Sequence, residues 1–592
     1  MISIMSNKEF VTLLRNVAAV YTIKDEKKHR FQIIAYQKAA DSIEHLNTEL
    51  SDLIYEKIEK IPGVGPGIMS YIQEYVKKGS VKHFNEITKN IPPAIFPLLD
   101  VPSFGPKKAY KIVANFNLKN PATVVDDVKR LGKEGKIAAL ESFGEKSQAD
   151  ILRAINEYKL GKTKSNRMVL PYAFELAQRL IKYLKTSKDV VEAYPLGSLR
   201  RKVVTVGDID IATSTNSPQA VLSHFINYPQ KERIIEKGER TASILLNGGR
   251  QIDLMVQEPN SFGALLQHFT GSKDHNIALR EYALKKSFSL SEYGIKILKE
   301  KGTPLKRIKT EEQFYKFLGL EFIPPEIREN NGEIQLAEKH MLPKLVEKND
   351  IKGDLHIHSN YPIEPSHDLG QNSFEEMIDE AGRLGYEYIG FSEHNPSVSK
   401  HSMNQIYKIL SNRNHTIEQL NKSNKNIRVI NLLEVDILAS GELALDDKSL
   451  SLIDAAIVSI HSVFNMDKSK MTERILKGFS HPKAKILAHP TGRILNERAG
   501  VDADWNRIFD FAKKNNKALE INAWPTRLDL PDVLVKQAKD SGNKFVINTD
   551  SHEVSQMSNM LYGVSVVRRG WCTKNEILNT LSYSKFYSWL KS

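Results

Sequence analysis

From Gly353 onward the sequence alternates apolar runs of strand length with amphipathic stretches of helix length, and no other feature limits the fold as sharply. The strand-like runs are DLHIHS, YIGFSEH, IRVINLLEVDIL, DAAIVSIHS, AKILAHP, KALEINAW and KFVINTDSH, with helical stretches such as FEEMIDEAGRLG and WNRIFDFAKKNN between them. Strands of this texture alternating with helices build a parallel sheet through right-handed crossovers. The rhythm predicts a parallel α/β barrel over about 240 residues, with its chemistry at the C-terminal ends of the strands.

Polar residues stand at those ends. His356 and His358 alternate on one run, His394 ends the next, and Glu434 follows; then come His461, His489, and Asp550 with His552. A lone buried histidine is usually a satisfied core residue, but a set delivered by successive strand ends to one rim is a ligand pattern. Asp368, from HDLGQNS, brings the set to six imidazoles and three carboxylates. That is too many for one ion and suits a cluster of two or three Zn²⁺, Mn²⁺ or Fe²⁺ ions, able to acidify water and clamp a phosphate. Arg493 in HPTGR, and Asn522 with Arg527 in EINAWPTRLDL, are candidate phosphate contacts or ordinary loop residues.

A second constellation lies upstream in Leu196–Ile211, LGSLRRKVVTVGDIDI. Side chains two apart on a strand share a face, so Asp208 and Asp210 project together and repel unless a cation lies between them. With Asp253 in the strand-like QIDLMV they form a carboxylate set suited to a pair of Mg²⁺ or Mn²⁺ ions about 4 Å apart. Gly197 allows close approach of a phosphate, Ser198 adds a hydroxyl, and Arg200 and Arg201 add fixed positive charge. This is the chemistry of nucleotidyl transfer. Further on, the FTGSKDHN turn opens a helix that places Asn276 and Arg280 on one face.

The N-terminal part reads as helices. IPGVGPGIMSYIQEYVKKG (61–79) ends one helix, turns through Gly63 and Gly65, and starts another whose free N–H groups can take a phosphate oxygen without reading a base. Weaker variants at 98–116, with Gly105, and 140–155, with Gly144, carry Ser103 and Ser142 where the first glycine would stand. All three look like helix-hairpin-helix motifs. A formal charge of +13 agrees with a polyanionic partner, and a single cysteine, Cys572, excludes an internal disulfide. No apolar run reaches membrane-spanning length and no signal peptide is seen, so the expectation is a cytoplasmic protein without a membrane partner.

Residues 1 to about 325 resemble a family X DNA polymerase: GSLRR…VGDIDI, IDLMV and HFTGSKDHN…SEYGI occur in that family's order. The resemblance implies that Asp208, Asp210 and Asp253 are the metal-binding catalytic acids. It implies that Gly197, Ser198 and Arg201 hold a triphosphate, that Asn276 contacts the incoming base, and that His268, Phe269, Gly271 and Arg280 line the nucleotide. Animal members have tyrosine where this chain has His268, and a Schiff-base lysine where it has Tyr71. The C-terminal motifs HxH, EH, EVD, IHS, HPTGR and TDSH resemble the polymerase-and-histidinol-phosphatase (PHP) domain, with a longer loop, NYPIEPSHD, before Asp368.

The implied organisation is a multidomain α/β chain. A helical lyase-like domain (1–90) and a fingers-type domain (91–165), both DNA-binding, precede a mixed α+β nucleotidyltransferase palm (166–260) and a thumb (261–322); a linker (323–350) leads to the PHP metallophosphoesterase domain (351–592), implied to be a distorted parallel (β/α)7 barrel. The implied activity is gap-filling synthesis of the base-excision-repair type by a monomer acting on gapped or primed double-stranded DNA with dNTPs. A metal-dependent 3′-5′ exonuclease, and an abasic-site endonuclease, are implied for the barrel. The alternatives are a small-molecule phosphatase, and a DNA-end-binding nuclease or factor with a degenerate polymerase core.

Overall fold

The structure is a computed structural model describing residues 7–44, 50, 64–101, 104–159, 167–246, 250–424 and 426–592. Gly63 and Ser103 lie outside the described residues. The chain divides into two compact units, one comprising Met1–Met168, Tyr172–Ala193 and Gly207–Val256, the other Val169–Pro171, Tyr194–Val206 and Gln257–Ser592.

The second unit contains the expected barrel. Seven parallel strands follow in chain order: Gly353–Ile357, Tyr388–Phe391, Arg428–Asp436, Ala455–Ser459, Ala484–Leu487, Ala518–Asn522 and Lys544–Asn548. An isolated parallel bridge between Ile357 and Ser551, with His358 N donating to Ser551 O at 2.8 Å, brings the last strand back to the first. Nearly every strand residue is buried, as both faces of such a sheet are covered. Leu355, Leu432, Ile457, Ile486 and Val546 share one apolar cluster, joined by Phe586 and Leu590 of the C-terminal helix. Each such side chain contributes about 1.5–3 kcal/mol on burial.

The crossovers are written locally. In Phe374–Arg383 the apolar residues Phe374, Met377, Ile378 and Ala381 recur at helical spacing and face inward. Ser373 and Glu376 form a capping box at its start, and Gly385, at φ 77°, follows its end. Ser373→Ala would cost about 1 kcal/mol.

The same unit carries a smaller core of Leu279, Ile295, Phe314, Tyr315, Ile327 and Ile334, with Trp571. Residues 323–350 enter this core through Ile323, Ile327, Ala337 and Leu345, and Val346 N donates to Cys572 O at 3.1 Å. The apolar spacing there is irregular because the segment packs by short turns, Pro325–Ile327 and Glu333–Glu338, and not along one helix face. Arg328 and Glu311, both nearly inaccessible, pair at 2.6 Å in this core.

The first unit holds the N-terminal helices around Phe10, Leu14, Tyr75, Phe84, Ile112, Val128 and Ile155. It also holds most of a five-stranded sheet whose order is Glu192–Pro195, Ile209–Ser214, Arg250–Gln257, Thr241–Leu246 and Lys231–Lys237. Among the described residues no helix is long and apolar enough to cross a membrane.

Candidate active sites

The barrel rim collects all nine candidate ligands. Glu434 lies among five imidazoles. Its Oε2 is 3.2 Å from His356 Nε2, 2.9 Å from His394 Nδ1 and 3.7 Å from His358 Nε2, the most distant; its Oε1 is 3.2 Å from His461 Nε2 and 2.8 Å from His489 Nε2. Asp550 Oδ1 lies 3.2 Å from His358 Nε2, and Asp368 Oδ1 lies 3.3 Å from His394 Nε2 and 3.6 Å from His552 Nε2. Strand alternation puts His356 and His358 on one side, Asp368 comes from the loop between the first strand and the helix Phe374–Arg383, and the other ligands arrive at or just past the ends of their own strands.

Crowding these groups has electrostatic consequences. Burial, followed by the neighbouring His552 and His394, pushes His358 down to about 3. Burial opposes charge on His394 too, but Glu434 and Asp368 outweigh it and raise that ring to about 10. Glu434, against its own burial, is held well below the carboxylate range by His394, His356 and His461. Both ring nitrogens of His358, and His356 Nε2, His394 Nδ1, His552 Nε2 and Glu434 Oε2, are buried without a hydrogen bond, although several approach an opposite charge. Each such orphan costs about 1–3 kcal/mol. The donor set fits transition-metal ions, which would satisfy these atoms together. Three triads, His358–His394–His552, His356–His358–Asp550 and Glu434–His461–His489, each keep a ligand atom of every member within 4.8 Å of the others.

Residues absent from the sequence reading hold the ligands in place. Glu520, fully buried, takes His356 Nδ1 at 2.7 Å, His489 N at 2.6 Å and Asn548 Nδ2 at 2.9 Å. Asp436 Oδ1 lies 2.6 Å from His461 Nδ1. Both stand two residues from a polar neighbour on the same strand face, Asn522 and Glu434, inside the runs EINAW and EVD, and neither alternation nor motif told which ring each would hold. Asn522 donates to Glu520 at 3.1 Å and Asp550 at 3.0 Å. Arg527 Nε lies 3.8 Å from Asp550, whereas Arg493 spends its guanidinium on the carbonyls of Arg527 and Leu528.

The carboxylates of the first unit lie in its sheet. Asp210 is in Ile209–Ser214, preceded by the exposed Asp208, and Asp253 is in the adjacent strand Arg250–Gln257. Buried Ile209, Ile211, Ile252 and Leu254 alternate with Asp210 and Asp253, which therefore emerge from the other face. Burial, then Asp208 and Asp253, raises Asp210 to about 6, the repulsion that a divalent cation would relieve. Ser243 Oγ and Gln251 Nε2 donate to Asp253, a pairing that the sequence order concealed.

In the second unit Gly197, at φ 56°, begins the single turn Gly197–Arg200, which contains Ser198. Arg200 pairs with Glu311 and donates to Thr270 Oγ1 at 2.6 Å. Arg201 reaches Thr270 O at 2.6 Å and Glu329 at 3.1 Å, and Arg569 lies 3.0 Å from the same Glu329 oxygen. A Cβ on Gly271, whose φ is 68°, would lie 3.0 Å from Arg201 Nη1, so glycine permits this approach. Asn276 and Arg280 both turn to the preceding helix Phe262–Thr270: Asn276 Nδ2 donates to His268 O at 2.7 Å, and Arg280 Nη2 lies 3.5 Å from His268 Nδ1. The His268 ring packs edge-on to Phe269. Ser272 caps the helix that carries Asn276, and the unforeseen His275 is buried between Glu333 and Tyr315 at 2.6 and 3.1 Å.

Gly65, Gly105 and Gly144 each accept the first helical hydrogen bond, from Met69, Ala109 and Gln148, at 2.9, 3.0 and 2.9 Å. All three glycines are exposed, and a Cβ on any of them would meet nothing within 4 Å. Nothing within the fold requires glycine there; open helix starts of this kind admit a phosphate backbone.

Comparison with known proteins gives three matching families: a helix-hairpin-helix domain at residues 5–81, the DNA polymerase beta thumb at 265–329 and the PHP domain at 354–523. The chain is 32% identical over 589 residues to the DNA polymerase/3′-5′ exonuclease PolX of Bacillus subtilis (strain 168), covering 99% of this chain and 100% of that protein. It is 22% identical over 352 residues to DNA polymerase lambda of Rattus norvegicus, spanning 55% of this chain and 56% of the relative. A repair DNA polymerase X of African swine fever virus (isolate Warthog/Namibia/Wart80/1980) is 29% identical over 174 residues, 28% of this chain and 96% of the viral protein.

Proposed function

We propose a division of labour for this chain, which belongs to the bacterial family X DNA polymerases that carry a PHP domain. The protein is a gap-filling repair DNA polymerase with a 3′-5′ exonuclease, and both activities use divalent metals. In our reading each activity has its own acids: Asp208, Asp210 and Asp253 serve synthesis, and the histidine-rich barrel rim serves degradation. The observation that carries this reading is that each unit gathers its own set of metal-type side chains.

For synthesis, the three aspartates would hold Mg²⁺ or Mn²⁺, with Asp253 nearest the primer 3′-oxygen. Gly197, Ser198 and Arg201 would take the triphosphate of a dNTP, and Gly271 would lie against its sugar. Arg201 would exchange its Glu329 partner for phosphate oxygens, a trade of one anion for another. Asn276 would turn from the His268 carbonyl to the base edge, with His268, Phe269 and Arg280 beside it. Gly65, Gly105 and Gly144 would hold the DNA backbone at helix N-termini.

For degradation, the nine rim ligands would hold Zn²⁺, Mn²⁺ or Fe²⁺. Bound divalent ions supply positive charge for phosphate oxygens and acidify water. Glu520 and Asp436 fix the ring orientation of His356 and His461, Asn522 fixes Asp550, and Arg527 is the better placed of the two arginines for a substrate phosphate. Incision at abasic sites belongs to this same rim.

The test is separation of function on one-nucleotide-gapped DNA labelled at the primer. Asp208→Ala with Asp210→Ala should abolish extension and leave 3′ degradation. His356→Ala with His358→Ala should do the reverse. Loss of both activities in either folded variant would sink the two-site reading.

A further inference from the structure

The loop before Asp368 brings in a histidine that the nine-ligand set does not include. His367 stands on the segment Asn360–Asp368, fastened on both sides of the rim: Ser366 N donates to Asn395 O at 2.8 Å, and Gln371 N donates to His552 O at 2.7 Å. Its ring lies 4.3 Å from that of His461 and 4.8 Å from that of His394, and its side chain is 35% exposed. One nitrogen of each of His367, His394 and His461 falls within 4.8 Å of the other two.

A second observation concerns Asp436. One of its oxygens, Oδ1, lies 2.6 Å from His461 Nδ1 and 3.1 Å from His367 Nε2. A ligating imidazole characteristically donates its other N–H to a carboxylate, which fixes the tautomer and leaves the lone pair outward. Assigned from these hydrogen bonds, His461 keeps its lone pair on Nε2 and His367 keeps its own on Nδ1. His394 adds a buried Nδ1 without a hydrogen bond. An all-imidazole corner backed by a carboxylate suits a borderline transition metal better than Mg²⁺ or Ca²⁺.

We propose that His367 is a tenth metal ligand, holding with His394 and His461 a transition-metal ion at the solvent-facing edge of the barrel cluster. This rests on the reading of the rim as a metal centre. The full chain is loaded with Zn²⁺, and metal release is followed against a chromophoric chelator, alongside the visible absorption of the Co²⁺-loaded protein. His367→Ala should release one equivalent at roughly 10–100-fold lower chelator than wild type and weaken the Co²⁺ absorption. The melting temperature of the metal-free variant should match that of metal-free wild type, because the residue is at the surface.

His415→Ala, which removes an exposed histidine elsewhere, should superimpose on wild type and so support the assignment to His367. Superposition of His367→Ala on wild type, in both release and absorption, overturns the tenth ligand alone. If wild type retains no metal, or His356→Ala with His358→Ala releases it no sooner, the metal-centre reading fails and this inference falls with it.

Discussion

Gly370→Ala tests how the barrel rim is built without altering any ligand side chain. Gly370 is buried two residues after Asp368, and its N–H donates to Ser359 O at 3.0 Å. A Cβ at this position would lie 2.0 Å from the His358 carbonyl oxygen, 2.5 Å from its carbon and 2.9 Å from the Ser359 carbonyl carbon. Ordinary contact needs about 3.5 Å, so the two backbones must part by more than about 1 Å. Neither can yield alone, since one carries His356 and His358 and the other Asp368. Overpacking of this kind costs about 1–3 kcal/mol. A displacement of about 1 Å at a reacting site costs on the order of 100-fold in rate, equivalent to about 2.7 kcal/mol of barrier. The assay is 3′ degradation of end-labelled duplex in Mn²⁺, with gap filling by the same preparation as internal control. Degradation should fall roughly 100-fold while extension stays at the wild-type level. A folded Gly370→Ala with a wild-type degradation rate would refute the argument that backbone contact between these loops sets the ligand geometry.

Glu520→Gln removes the carboxylate that fixes His356 Nδ1 and should weaken metal retention about 10–100-fold, measured by elemental analysis after dialysis, with gap filling spared. Glu311→Ala strands the fully buried Arg328, and losing one partner of a buried pair costs about 3–5 kcal/mol; differential scanning fluorimetry should show a lower melting temperature. Gly271→Ala places a methyl against Arg201 Nη1 at a φ of 68° and should raise the KM for dNTPs while leaving exonuclease activity intact, as steady-state kinetics on gapped DNA would show.

The parts of the candidate sites that were legible from sequence are those governed by local periodicity. Alternation on a strand is a property of consecutive residues, so it placed His356 beside His358 and Asp210 beside Asp208 before any contact was known. Apolar runs covered on both faces fixed the parallel barrel, and strand ends fixed where its ligands emerge. Turn chemistry placed Gly65, Gly105 and Gly144 at helix starts. What the tertiary structure alone decided are the pairings across long stretches of chain. Glu520 meets His356 from 164 residues away, Arg200 meets Glu311 across 111, and Arg201 meets Glu329 across 128. Such partners leave no periodic trace, because a buried carboxylate finds its cation through sheet register and loop packing. The same holds for His367: its sequence neighbour Asp368 was found by motif, and only the fold of the loop, fastened to Asn395 and His552, brought the adjacent imidazole to Asp436 and the rim.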